Sequence, residues 1–171
     1  MASRVPRWAA VALGLLAWVV GVPFAHAGLP WAVSLLATRH GWRDGAPGIW
    51  NFVGLAPVAL ASAGLIWIMA HHLRRTPESV KLELTPQYLL LRGPYRFTRN
   101  PMYVAELALW LGWSVFFGSA PVALGFALLF VAMSWVVPRE ERALEARFGA
   151  TYRDYLRRVP RWLGRMRRSP G

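Results

Sequence analysis

PMYVAELALWLGWSVFFGSAPVALGFALLFVAMSWVVP, residues 101–138, decides the fold. It carries a single charged side chain, Glu106, and is split by Phe117-Gly118-Ser119-Ala120-Pro121 into two apolar runs, 101–118 and 120–138. A helix rises about 1.5 Å per residue, so roughly 20 apolar residues cross the hydrocarbon of a bilayer. Two such runs joined by a tight turn read as a membrane-embedded helical hairpin. Working outward, 49–70 is uncharged, and the stretch from Trp8 to Ala37 is nearly so, interrupted by Pro23, His26 and Pro30. The pattern predicts spans at about 8–27, 49–71, 101–118 and 120–138. The remainder, 28–37, is short for a span and is expected as an interfacial or re-entrant segment. Pro138 is expected to close the fourth span.

Composition agrees with a membrane domain. The chain has 171 residues, room for one domain. It is 56% hydrophobic yet carries a formal net charge of +12, a pairing ordinary for a membrane protein with basic edges. Arginines flank the apolar runs instead of forming one stripe, so nucleic acid is not an expected partner. The positive-inside rule places both termini in the cytoplasm: 18 of the 20 basic residues then fall inside, and only Arg39 and Arg43 fall outside. Trp8, Trp31, Trp50 and Trp135 stand near run ends, as in an interfacial aromatic belt. The chain has no cysteine, which excludes disulfides, thiolate zinc sites and cysteine nucleophiles. Arg4, Arg7 and Ala25-His26-Ala27 imitate a cleavable signal peptide, but the apolar character continuing past Ala27 favours retention. The lysine-poor, Ala/Arg/Trp-rich composition suggests a bacterial plasma membrane.

Polar chemistry gathers at the two ends of the hairpin. Before it stands Gly93-Pro94-Tyr95-Arg96-Phe97-Thr98-Arg99-Asn100, and after it Arg139-Glu140-Glu141. Asn100 suits an N-cap and Pro101 a first helical turn. Tyr103 and Glu106, three apart, share a helix face. An ionisable residue inside a span is a functional candidate by default; the bland alternative is a carboxylate that snorkels out or pairs with a nearby arginine. Arg139-Glu140-Glu141 is expected to open a new helix with Leu144, Phe148, Tyr152, Tyr155 and Val159 as an apolar stripe, interrupted at Gly149. This helix would lie on the surface, held by anionic lipid headgroups, or close as a lid (139–163) over the loop 74–100. His71 and His72 are too few for a metal site and are expected to be structural; His26 and His40 show no partner in the sequence.

The run GPYRFTRNPMY, two apolar spans and EERALEARFGATYRDYLRRVPRW together resemble the isoprenylcysteine carboxyl methyltransferase and phospholipid methyltransferase family of integral-membrane enzymes, over about residues 49–163. The resemblance implies S-adenosyl-L-methionine as methyl donor. It implies an all-α membrane fold whose C-terminal amphipathic helix caps a cytoplasmic-side cofactor pocket. Carried over by motif, cofactor contacts fall on Gln87, Tyr88, Leu89, Leu90, Tyr95, Asn100, Pro101, Met102, Tyr103, Glu140 and Glu141, with Glu140 the principal acid. Tyr103, Glu106 and Arg99 are the candidates for catalysis. The sequence departs from the family where its usual His is Asn100. It departs again at Val136, where the eukaryotic carboxyl methyltransferases bind substrate with an arginine. The acceptor would be hydrophobic or lipid-like and enter from the bilayer: an amine headgroup, an isoprenoid or fatty carboxylate, or a hydrophobic thiol. Two rivals remain open, an NADPH-dependent reductase of the membrane sterol reductase type and a non-catalytic basic membrane subunit. Oligomeric state is not fixed by the sequence.

Overall fold

A computed structural model describes residues 4–77, 79–81 and 88–164. The chain opens with a short strand, β1 (Arg4–Pro6), and one continuous helical rod, Arg7–Ser34. The rod comprises α1 (Arg7–Leu16), π-helical turns at Ala17–Gly21 and Phe24–Gly28, and α2 (Leu29–Ser34). The segment 28–37 is therefore not a separate re-entrant piece through Ser34; it continues the first helix. Pro30 does not break the rod: it stands in the first turn of α2, where a missing N–H is tolerated, and the nearby His26 carbonyl accepts from the Trp113 indole at 2.5 Å. Beyond a hairpin of β2 (Trp42–Arg43) and β3 (Ala46–Pro47), a 3₁₀ turn, Ile49–Gly54, leads into α3 (Leu55–Arg75). Next, β4 (Ser79–Lys81) pairs antiparallel with β1, a ladder that the sequence did not announce. After the 3₁₀ turn Gly93–Arg96 come α4 (Pro101–Phe117), α5 (Ala120–Phe148) and α6 (Ala150–Arg158).

Pro138 does not close the fourth span; α5 runs through it for another ten residues, to Phe148. A proline removes one helical hydrogen bond and crowds the preceding turn. Side chains support that turn: Ser134 Oγ donates to the Phe130 carbonyl and the Arg139 guanidinium to the Trp135 carbonyl. The chain turns only at Gly149, whose φ of +56° favours glycine.

Among the described residues, three helical stretches are long and apolar enough to cross a membrane: Arg7–Ser34, Ile49–Arg75 and Ala120–Phe148. The fourth expected span, α4, is a 17-residue apolar helix, short of the roughly 20 residues of a free-standing span. It sits at the centre, with α3, α5 and the first rod packed around it. A helix apolar on all sides is stable in that position. Ala105 and Leu109 of α4 meet Ala61, Leu65 and Ile68 of α3, while Leu107 meets Met133 and Val137 of α5. The outer faces carry Val19, Phe24, Leu60, Ile66, Leu124 and Leu128, all exposed, as lipid-facing surfaces do.

Glycines let α4 approach the start of α3. A Cβ on Gly112 would lie 2.6 Å from both the Gly54 carbonyl oxygen and Val58 Cγ2, and one on Gly54 would collide with the α4 backbone. Gly112→Val is expected to destabilise the fold by about 1–3 kcal/mol through overpacking. Gly64→Ala, facing open space, is the control that should leave the melting temperature in detergent unchanged. Equal melting of the two variants would refute this close packing.

The far edge is tied by Asn51. Its amide donates to the carbonyls of His40, Val115 and Phe116, and Trp42 Nε1 donates to the Phe116 carbonyl. The Arg39 guanidinium lies over the Trp42 and Phe117 rings.

Candidate functional site

The opposite edge collects the charges. There the start of the first rod meets the end of α3, with an Arg7 guanidinium nitrogen donating to the Leu73 carbonyl at 3.1 Å. The start of α4 likewise meets the charged half of α5. Tyr103, in the first turn of α4, donates its hydroxyl to Glu140 Oε1 at 2.8 Å. The continuation of α5 past Pro138 is what brings Glu140 there. Glu140 is exposed, and its second carboxylate oxygen has no partner among the described residues. Glu106 lies one helical turn deeper on the same face of α4, with Oε1 3.9 Å from His26 Nε2.

Glu141, the next residue, has a different environment. It is 5% exposed and sits between two arginines. Arg99 approaches Oε1 at 3.2 Å, while Arg161 donates to Oε2 from two nitrogens at 2.7 and 3.0 Å. That hydrogen bond raises the affinity of Arg161 for its proton. The backbone reinforces the clasp. Arg99 N–H donates to the Pro160 carbonyl, and the Thr98 hydroxyl and Asn100 amide both donate to the Arg161 carbonyl. Asn100 thus occupies the N-cap position without capping; its side chain anchors the returning C-terminal segment. Trp162 of that segment packs on the Leu107–Met133–Val137 cluster, with its ring 6.0 Å from Phe130.

The stripe on α6 forms a third cluster. Tyr152, Tyr155 and Val159 are buried against Leu89, Leu91, Tyr95, Leu144 and Phe148. The Tyr155 hydroxyl donates to the Tyr95 carbonyl at 2.8 Å, and the Tyr95 hydroxyl hydrogen-bonds His72 Nε2 at 2.8 Å. Burial pushes the phenols of Tyr95 and Tyr152 up to about 12, so both stay neutral at ordinary pH.

The expected site residues therefore separate. Tyr103, Glu106 and Glu140 converge. Arg99, Glu141 and Asn100 are engaged in the clasp. Pro101 is buried, and Met102 packs on the α3–α4 core. Leu89 and Tyr95 belong to the α6 cluster, and Leu90 is half-buried. Tyr88 lines a separate cleft of about 240 Å³ between Ala10, Val11 and Gly14 of α1 and Met69, His72, Leu73 and Thr76. Gln87 lies outside the described residues. Among the described residues no group of three metal-ligating side chains occurs. Neither Arg161 nor His26 could be paired with an acid from the sequence, because both pairings join residues far apart in the chain. Their only local signals were the return motif Val159-Pro160-Arg161-Trp162 and an ionisable residue inside an apolar run.

Residues 50–151 match the family described as phospholipid methyltransferase. Over 63 residues, 36% of the chain, it is 35% identical to the whole length of an uncharacterized protein from Haemophilus influenzae. Over 118 residues, 67% of the chain, it is 30% identical to the cobalt-zinc-cadmium resistance protein CzcN of Cupriavidus metallidurans, and that match spans 49% of CzcN, about half its length. No solved structure matches. With its apolar helices, its polar edge and this match over more than half its length, the chain belongs to the phospholipid methyltransferase family of membrane proteins.

Proposed function

We propose that the protein transfers a methyl group from S-adenosylmethionine to a hydrophobic or lipid-like acceptor that enters from the bilayer. In this reading α4 and the three longer helical stretches make four spans, and the charged edge faces the cytoplasm. The observation that carries the proposal is the convergence of Tyr103, Glu140 and Glu106 at the charged end of the central helix.

The residues present suit the donor. S-adenosylmethionine is a zwitterion with an additional sulfonium cation. The free oxygen of Glu140 would accept from its ammonium or ribose hydroxyls, and the exposed Arg96 offers a planar fork to its carboxylate. The Tyr103 ring presents a π face attractive to a cation. When bound, this group supplies an electrophilic methyl on sulfur. The chain's own contribution is alignment and exclusion of water. The hydrogen bond from Tyr103 fixes the Glu140 carboxylate, and the clasp at Glu141 fixes the loop 93–100 against α5.

Isothermal titration of the full chain in detergent should show S-adenosylhomocysteine binding, while NADPH should leave the melting temperature unchanged. Stabilisation by NADPH, with none by S-adenosylhomocysteine, would move the protein to the reductase class. Binding of neither would leave only the non-catalytic reading.

A further inference from the structure

His26 is an unusual residue to find in the first rod. It stands in the second π-helical turn, Phe24–Gly28, and π-turns inserted in α-helices concentrate at functional sites. The side chains of His26 and Glu106 are 13% and 18% exposed. The 3.9 Å between them exceeds a hydrogen bond by about 1 Å. The Nδ1 of His26 is buried and has no hydrogen-bond partner among the described residues. Buried polar atoms are almost always paired, and an exception calls for a reason. The position of His26 is fixed independently of its ring, by the Trp113 indole on its carbonyl. The family match begins at residue 50, so the helix that carries His26 lies outside the part of the chain the family accounts for.

We infer that His26 is a positioning residue of the methyl-transfer site, holding the Glu106 carboxylate where it receives the proton released by an N–H or S–H acceptor. The inference rests on the methyltransferase reading. In the step, the acceptor's lone pair forms the bond to the methyl carbon. The carbon–sulfur bond breaks, and its electron pair stays on the donor's sulfur. The acceptor's proton passes to a Glu106 oxygen. An ionised carboxylate acceptor releases no proton and would meet Glu106 as a like charge, so the pair favours nitrogen and sulfur acceptors. The open distance to His26 is ordinary for a ligand-free site, where such contacts tighten on binding.

The test uses the full chain in detergent, loaded with S-adenosylhomocysteine for binding or S-adenosylmethionine for turnover, with dodecylamine and dodecanethiol as acceptor probes. His26→Ala should lower kcat about 10- to 100-fold while the KM for S-adenosylmethionine holds within about twofold. His26→Gln, which keeps a hydrogen-bond donor, should recover part of the loss. The double variant with Glu106→Gln should be no slower than Glu106→Gln alone, as for residues acting as one unit. A readout independent of turnover is the ring ¹⁵N spectrum of His26, which should change on Glu106→Gln. Wild-type kcat in His26→Ala, or a His26 spectrum indifferent to Glu106→Gln, overturns this inference and leaves the functional reading standing wherever S-adenosylhomocysteine still binds. A wild-type chain that fails to bind S-adenosylhomocysteine overturns the functional reading and this inference with it.

Discussion

Glu141→Ala should cost about 3–5 kcal/mol of stability, the range found when one partner of a buried ion pair is removed. The side chain of Glu141 is 7% exposed and that of Arg99 14%, so the substitution strands the Arg99 guanidinium where water reaches it poorly. Arg161, with 41% of its side chain exposed, regains solvation more easily, so most of the loss should come through Arg99. The clasp also holds Pro160 and Arg161 against Thr98 to Asn100, and its failure should release the C-terminal segment together with the Trp162 contact. Reversible unfolding in mixed detergent, followed by tryptophan fluorescence, would measure the change. Pairing Glu141→Leu with Arg99→Met should recover much of it, because an apolar replacement of a buried ion pair is often neutral or better. A loss under about 1 kcal/mol for Glu141→Ala would place the clasp with ordinary surface pairs.

The neighbouring acid should behave in the opposite way. Glu140→Gln is expected to leave the melting temperature almost unchanged, since an exposed contact contributes little. The same change should weaken S-adenosylhomocysteine binding about 10- to 100-fold, the equivalent of a charge-assisted hydrogen bond worth about 1.5–3 kcal/mol. Tyr103→Phe should weaken binding less, because it removes only the group that orients Glu140. Titration calorimetry on the three proteins separates the effects. Unchanged affinity in both variants would remove Tyr103 and Glu140 from the donor site.

Much of the fold could be read from hydropathy because a bilayer leaves few alternatives: long apolar runs become helices, and arginines gather at one edge. The reading failed where a local rule was overruled by distant side chains. Pro138 looks like a helix end and Pro30 like an interruption in sequence, yet the helix runs through both, and Arg139 and Trp113 take up polar backbone groups nearby. Asn100-Pro101 looks like a cap, yet the Asn100 amide is drawn away by the Arg161 carbonyl. At the site, Tyr103, Glu106 and Glu140 could be named from spacing and resemblance. The resemblance also set Glu140 ahead of its neighbour, but nothing in the sequence showed Glu141 enclosed between Arg99 and Arg161. Consecutive helical residues point about 100° apart, and only the returning segment decides which of them is enclosed. His26 was visible as an ionisable residue within a greasy stretch, but its partner lies 80 positions away.

The knot around Asn51 has a consequence for the membrane itself. Glu140, Tyr103, Glu106 and His26 carry titratable groups inward from the charged edge, and a membrane bundle open to water at both ends would leak ions. At the far edge, the Asn51 amide occupies three carbonyls and an aromatic plug of Trp42, Trp113, Phe116 and Phe117 closes the bundle. Hydrogen bonding and ring packing thus close the end of the bundle that lies opposite the acids.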